Sequence, residues 1–431
     1  MTYFWESRFT DNLRTGAWLT VERVRGYSIM LLGFYVVAAV VWVALSHGLI
    51  DLKGKPLGTD FSSFYAAGSL ALEGRAVEVY DMAAHYAREQ QIFGAGVPYY
   101  AWFYPPFFLL LAAPLALMPY PLALAVWQAA TFAFYLGVIG AILRPLRQAR
   151  GDPAAIWIFP ALAFPAIFIN VGHGQNGLLT AGLFGAALLT LPTRPLLSGL
   201  LFGCLAYKPQ FALVIPVALI VSGHWRTVAA ATLAVIVLAL IASLAFGTDV
   251  WFAFLASTDV SRRLLLEQGS VGFEKLQSVF AAIRMWGGGL SLAYIAQGLT
   301  SAATICGVAW IWRGRYDDNL KAAILIVAAL LASPHTLDYD LTILAPAFAF
   351  MTTLGFAGGF RDFEINVLAA AWALPLLART VAGATGVPLG AIALLALYAL
   401  MLRRAWRDRQ DWRSGTANSC VCDIDPRGLP T

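Results

Sequence analysis

Charge is what this sequence has least of. Asp, Glu, Lys and Arg make up 12% of its 431 residues, where a soluble domain carries roughly 25%. Hydrophobic residues make up 60%. A chain this apolar has too little polar surface to clothe a single water-soluble core, so it reads as an all-α polytopic membrane protein. Cysteine is scarce too, with four in the chain. Cys204 and Cys306 lie inside apolar runs, and Cys420 and Cys422 form a lone C-x-C in the tail. A zinc site takes about four ligands, so these read as free thiols and no metal is expected. The motifs of soluble enzymes are missing: no P-loop, no G-x-G-x-x-G opening a dinucleotide fold, no H-E-x-x-H and no G-x-S-x-G. No cleavable signal peptide is apparent, because the first 27 residues carry charges of both signs and lack an early apolar core. No inverted repeat links the two halves, unlike many transporters. The net charge of +5 is read as topology and not as nucleic-acid binding.

What is there is a series of apolar runs. A helix needs about 20 apolar residues to cross roughly 30 Å of hydrocarbon. The clear candidates are 28–49, 121–143, 153–169, 176–191, 227–246, 289–312, 320–333, 338–354, 365–383 and 387–402. Segment 104–118 is short and holds Pro105, Pro106 and Pro114, so it is expected to dip into or lie along the outer leaflet. Segment 195–222 is interrupted at Lys208-Pro209 and is expected to form two short helices meeting there. With these two choices Arg144, Arg147, Arg194, Arg226, Arg313, Arg361 and Arg403 all fall on the cytoplasmic side. The result is about 12 membrane helices with both termini cytoplasmic. Residues 1–27 form an interfacial segment, 28–403 the membrane domain with outer loops 50–120 and 247–288, and 404–431 a disordered tail.

This topology sends the unusual polar residues to one face: Asp60, Tyr104, His173, Gln175, Asn176, Lys208, His335, Asp338 and Arg379. Polar groups at membrane depth are costly, and their shared side points to one outward cavity. Each also has a plain structural reading. Asp60 suits the N-cap of a helix that Gly74 would end. The run Asn170–Gly177 suits a tight turn, and Lys208 a snorkelling lysine. Ser333 and Pro334 suit an N-cap and first-turn pair, with His335 and Asp338 on one face of the helix that follows. The loop containing Arg262, Arg263, Lys275 and Arg284 is basic and suits either lipid headgroups or a phosphate.

In order, the chain carries Asp60 with F-x-x-F-Y-x-A-G after the first span, Tyr80-Asp81, and Y-P-P-F at Tyr104–Phe107. Then come G-Q-N at Gly174–Asn176, Y-K-P at Tyr207–Pro209, Q-S-V-F-A-A-I-R at Gln277–Arg284, and S-P-H-x-x-D-Y-D at Ser333–Asp340. Over about residues 28–400 this set resembles glycosyltransferase family 87. The resemblance implies a GT-C fold, a polyprenyl-phosphate sugar donor, and a first outer loop of juxtamembrane helices holding the catalytic acid. By resemblance Asp60 takes that place, and Lys208, Arg284 and His335 match positions near a donor phosphate. Arg262 and Arg263 join them as phosphate candidates. Tyr104, Gln175, Asn176 and Asp338 are candidates for binding the sugar or the acceptor. The expectation is a plasma-membrane hexosyltransferase without a cofactor, acting on a glycolipid or glycan at the exterior face. A transporter or lipid flippase is the competing class, and a non-catalytic scaffold a third. An enzyme expects Asp60, Lys208, Arg284 and His335 to converge in one cavity.

Overall fold

The computed structural model describes residues 10–150 and 154–413. Among the described residues there are isolated β-bridges but no strand. Six helices are long and apolar enough to cross a membrane: Val21–Ala44, Tyr120–Ile142, Trp225–Phe246, Leu290–Arg313, Asp338–Gly358 and Leu389–Trp412. The pair Glu364–Leu376 and Ala378–Thr385, bent by 72°, makes a seventh if it counts as one span. The chain is a multi-pass membrane protein. Length and composition thus give six or seven spans where about 12 are expected, and several shorter helices are apolar as well.

Those shorter helices sit in the middle. Gly177–Thr190 and Asp318–Leu331 have 14 residues each, about 21 Å at the helical rise. In the second, every residue from Ala322 to Leu331 is buried. The first span is the opposite case. Val21–Ala44 buries only Ser28 and Tyr35 and exposes Met30, Phe34, Val36, Val37 and Val40. A helix that is apolar all round and exposed all round needs lipid as its solvent. Trp225–Phe246 is exposed in the same way, whereas the long helix Asp338–Gly358 is largely buried and belongs with the short ones to the protein-packed centre.

Breaks in the helices follow the sequence. The expected span 153–169 is two helices, Ala154–Leu162 and Pro165–His173. Pro165 has no N–H to give and so begins the second one. Pro195–Cys204 and Ile215–Val221 flank two 3-10 turns with Lys208 between them, as expected for segment 195–222. The prolines of 104–118 leave a short apolar helix, Pro106–Ala116, which packs along Thr59–Leu72. Gly68 makes that packing possible: a Cβ there would lie 2.2 Å from the Ala112 carbonyl oxygen.

Two boundaries are corrected. The helix of the first span starts at Val21, seven residues before the expected span, with the Thr20 hydroxyl accepting from the Arg23 backbone. The last helix runs through Arg413, so 404–413 is not a disordered tail. Arg404, Asp408 and Asp411 in this stretch are paired. Arg404 is buried against the carboxylate of Glu364. Arg361 binds Asp408 at 2.6 Å and Asp411 at 3.0 Å. Residues 414–431 lie outside the described residues.

Replacing Gly68 with Ala adds helix propensity worth up to about 1 kcal/mol but drives a methyl into a backbone carbonyl. Overpacking of this kind costs about 1–3 kcal/mol. A lower midpoint of thermal unfolding in detergent is expected for Gly68→Ala, and an unchanged midpoint would mean the two helices part easily.

Candidate active site

The site is built on the aromatic end of helix Tyr120–Ile142. The Tyr120 hydroxyl donates to the carbonyls of Leu57 and Gly58, the second at 3.2 Å. Trp127 Nε1 donates to the Gly174 carbonyl at 3.0 Å, and Gln128 Nε2 to that of Val171 at 2.8 Å. One helix therefore grips two loops that are more than a hundred residues apart in sequence. The loops meet in van der Waals contact. Gly174 has φ +63°, and a Cβ there would lie 2.6 Å from Cβ of Phe61, so only glycine fits.

Asp60 is the second residue of helix Thr59–Leu72, whose N-cap is Gly58. Its carboxylate caps no backbone amide, which removes the N-cap reading. Instead Oδ2 accepts from Gln175 Nε2 at 3.0 Å, and Oδ1 lies 3.9 Å from His173 Nδ1. His173 Nδ1 is also 2.6 Å from the Thr59 hydroxyl. The orientation of Gln175 is fixed from behind. Its Oε1 accepts from the Tyr104 hydroxyl at 3.1 Å and from the Asn176 backbone at 2.7 Å, so the amide nitrogen has to face Asp60. The Asp60 side chain stays 22% exposed and keeps lone pairs open to a ligand.

Tyr104 is itself held by rings, with centroids 4.6 Å from Phe108 and 5.4 Å from Phe64. Burial, reinforced by the charges of Asp60 and Asp340, holds its hydroxyl well above the usual phenol range, so it stays a donor to Gln175. Asn176 is fully buried beside it, and neither atom of its carboxamide makes a well-formed hydrogen bond. Tyr80 and Tyr104 are joined through the Tyr80 hydroxyl and the Tyr104 carbonyl at 2.9 Å. Asp81 is a plain helix cap, accepting from the Ala84 backbone at 2.8 Å.

Behind this layer lies a buried ion pair. Lys208 is bound to Asp340, with side chains 5% and 6% exposed. The other oxygen of Asp340 accepts from the Leu337 backbone at 3.0 Å. Lys208 is thus neither snorkelling nor free. The segment after helix Asp318–Leu331 is a turn and not a helix start: the Ser333 hydroxyl accepts from the His335 backbone at 3.1 Å, and the next helical turn begins at Asp338. His335 and Asp338 therefore do not share a helix face. Burial pushes the His335 ring down to about 4, which leaves it neutral at physiological pH. Asp338 is buried and accepts from its neighbour Tyr339 at 2.9 Å. It lies within electrostatic reach of His173, Arg379 and Lys275.

The remaining phosphate candidates have local partners. Arg284 donates to the carbonyls of Gly288 at 2.8 Å and Glu267 at 3.3 Å, and lies over the Phe273 ring at 5.3 Å. Arg262 pairs with Glu267 and, at 3.3 Å, with Asp259. Arg263 is exposed. The structure brings Tyr104, His173, Gln175 and Asn176 to Asp60, and places Lys208 one layer behind. It does not bring Arg284 or Arg262 there.

Three residues of the site escape a sequence reading. Asp340 looks like one more member of the D-Y-D run until Lys208 is seen against it. Lys275 looks like one of four basic loop residues. Glu89 sits on helix Met82–Phe93 in an otherwise amphipathic stretch, yet it is buried. One of its oxygens accepts from the Tyr100 backbone at 3.0 Å, and the other has no partner. Burial raises this carboxyl to about 8, with Asp60 adding to the effect. On the same helix face, burial pushes His85 down to about 4. Among the described residues no three His, Cys, Asp or Glu side chains are grouped to hold a metal ion.

Residues 102–334, more than half of the chain, match Glycosyltransferase family 87. The chain belongs to this family. No curated protein and no solved structure matches the chain. The family segment takes in Tyr104, Gln175, Lys208 and Lys275, while Asp60 lies 42 residues before its start at 102 and the His335–Asp340 run begins right after its end. The two flanks are joined to it by the contacts described above. As a member of the family the protein is a glycosyltransferase, with donor and acceptor substrates met in a membrane.

Two outcomes follow from the site's electrostatics. Lys208→Ala leaves Asp340 buried without its partner, which costs about 3–5 kcal/mol. The double variant Lys208→Met/Asp340→Asn is expected to recover much of that loss in thermal unfolding, whereas recovery by neither atom pair would mean the two side chains are not coupled. For Glu89 the folded state favours the protonated form. Its contribution to stability is complete below the ordinary carboxyl value and is lost as pH rises through about 8. Glu89→Gln removes that loss, so the variant gains on the parent from pH 5 to pH 9. A stability difference that does not change with pH would place the Glu89 carboxyl in water.

Proposed function

We propose that this family member transfers a hexose, mannose-like in class, from a polyprenyl-phosphate donor to a glycolipid or glycan acceptor. The reaction takes place at the exterior face of the plasma membrane, with inversion at the anomeric carbon and Asp60 as general base. The observation that carries the proposal is the aim of the Asp60 carboxylate. It is held by a side-chain amide, makes no backbone cap, and faces a part-open space. A sugar hydroxyl is a poor nucleophile, and a carboxylate within hydrogen-bond reach can take its proton as the new bond to the anomeric carbon forms. The bond that breaks is the one from that carbon to the phosphate oxygen, and the electron pair leaves with the polyprenyl phosphate. That negative charge needs fixed cationic or N–H donors. A neutral His335 offers one N–H, and the basic 263–288 loop offers cations. A single phosphate has no second phosphate for a metal to bridge, so the mechanism calls on no metal.

The topology belongs to the same proposal. In this reading the shorter helices cross as well, and the twelve segments are 21–44, 120–142, 154–173, 177–190, 195–207, 209–221, 225–246, 290–313, 318–331, 338–358, 364–385 and 389–413. Twelve crossings put both ends on one side, and the basic ends at Arg144, Arg194, Arg226 and Arg313 make that side cytoplasmic, with the Asp60 end outside. The helices Thr59–Leu72 and Met82–Phe93 then lie at the outer membrane surface and roof the site. The same arrangement disfavours a transporter, since a roof of this size closes one side of any central path.

Asp60→Asn keeps the size and the hydrogen bond to Gln175 but removes the base. Membranes carrying it are expected to transfer labelled hexose from polyprenyl-phosphate donors about 10²–10⁴-fold more slowly than the parent. Full transfer by a normally inserted Asp60→Asn protein would falsify the assignment of the base. Identifying the labelled product names the sugar and the acceptor.

A further inference from the structure

We infer that Lys275, with Lys55 and Arg379 beside it, is the seat for the phosphate group of a lipid-linked substrate. This rests on the reading of the protein as a polyprenyl-phosphate-dependent transferase and adds to it residues that neither the family motifs nor the resemblance assign.

The first observation is rigidity. The basic loop is not a loose flap. Leu266, Leu276, Phe280, Ala281 and Ala293 form a second small core. An antiparallel bridge joins Leu276 to Leu337, and the Gln277 backbone donates to the Thr336 carbonyl at 2.7 Å. In antiparallel register the residue before Leu276 lies opposite the residue after Leu337. Lys275 is thereby set against Asp338, at the edge of the Asp60 site.

The second observation is convergence. Helix Ala378–Thr385 packs on this loop: a Cβ on Gly383 would lie 3.7 Å from Glu274 Cγ, and Trp286 Nε1 donates to the Gly386 carbonyl at 2.9 Å. That brings Arg379 to the same place. Lys55 comes from the turn before the first site helix, a turn closed by Asp51 N to the Lys55 carbonyl at 2.8 Å. Half-burial of Lys275, followed by the positive charges of Arg379 and Lys55, lowers its ammonium below the usual lysine value. Asp338 and Asp60 act in the opposite sense. The three cations come from three distant segments; Arg379 and Lys275 lie within electrostatic reach of Asp338, and Lys55 acts on Lys275 more weakly.

The third observation is vacancy of charge. Lys208, Arg262 and Arg284 are engaged by Asp340, Glu267 and backbone carbonyls. Lys55, Lys275 and Arg379 make no ion pair within 4.0 Å among the described residues. A part-buried ammonium with like charges in electrostatic reach gains from an incoming anion. A phosphodiester offers two non-bridging acceptor oxygens and the polyprenyl monophosphate that leaves offers three, and both suit a site of ammonium and guanidinium groups. The phosphate comes either from the polyprenyl-phosphate donor or from a phosphodiester-bearing acceptor lipid, and the chemistry of the seat is the same for both.

The test is direct binding to the purified full chain in detergent, independent of turnover. The probes are polyprenyl monophosphate, the matching polyprenol without phosphate, and phosphatidylinositol. Parent protein is expected to bind one of the phosphate lipids and to bind polyprenol at least about tenfold more weakly. Lys275→Gln and the double variant Lys55→Gln/Arg379→Gln are each expected to weaken the phosphate lipid by about tenfold or more and to leave polyprenol unchanged, with Lys275→Arg keeping most of the affinity. Loss confined to polyprenyl monophosphate assigns the seat to the donor, and loss confined to phosphatidylinositol assigns it to the acceptor. Parent-like binding of both by folded Lys275→Gln overturns the inference. If Lys275→Gln does not fold, the double variant of two exposed residues decides in the same way. Asp60→Asn removes a negative charge that acts on Lys275 and is expected to bind the phosphate lipid at least as tightly as the parent. Absence of sugar transfer together with Lys275-dependent binding would therefore sink the proposed reaction and leave the seat standing.

Discussion

The Gln175 carboxamide receives two donors at its oxygen, the Tyr104 hydroxyl and the Asn176 backbone, and so has only its nitrogen left for Asp60. This single orientation ties the first loop, the Y-P-P-F segment and the Gly174 turn into one unit. Each depends on something further back. Tyr104 is oriented by a nest of rings, and the turn is gripped by Trp127. A carboxylate set at the end of an apolar bundle would otherwise turn to the nearest free backbone amide of its own helix. Here Gly58 takes the cap position, and the carboxylate remains available.

Much of this was legible in the sequence, and the reasons differ from part to part. The long apolar runs announce themselves because lipid demands about 20 such residues. The division of 195–222 at Lys208-Pro209 was readable because proline cannot continue a helix. The central helices were harder. Gly177–Thr190 and Asp318–Leu331 are apolar on every side, and nothing in an apolar run tells whether lipid or protein surrounds it. The extent of the last helix is not legible in the sequence, because a charged stretch reads as solvated when its partners are distant in sequence. Arg404 finds Glu364, and Arg361 finds Asp408 and Asp411, only after the bundle has formed.

The polar residues show the same limit. Topology gathered Asp60, His173 and Gln175 on one side, and the structure has them in mutual contact. It could not distinguish a lysine facing substrate from one facing Asp340. Lys208 and Lys275 are both lysines near an aspartate of the D-Y-D run, and only packing separates them. The first is closed off in an ion pair. The second stands at the rim with like charges around it. Long-range pairing decides which cations are spent on the fold and which remain for a ligand, and pairing is not local information.

The Glu364–Arg404 pair bears on how the chain is put together. Glu364 is fully buried and enters the membrane domain forty residues before Arg404. A membrane protein is assembled in the order of its synthesis, so for that interval the nearly complete bundle holds a buried carboxylate whose counter-charge has not yet arrived. The final helix is then less an appendage than a closing bolt. Assembly is finished by an arginine that comes late, and a chain ended before residue 404 would be held at the penultimate step.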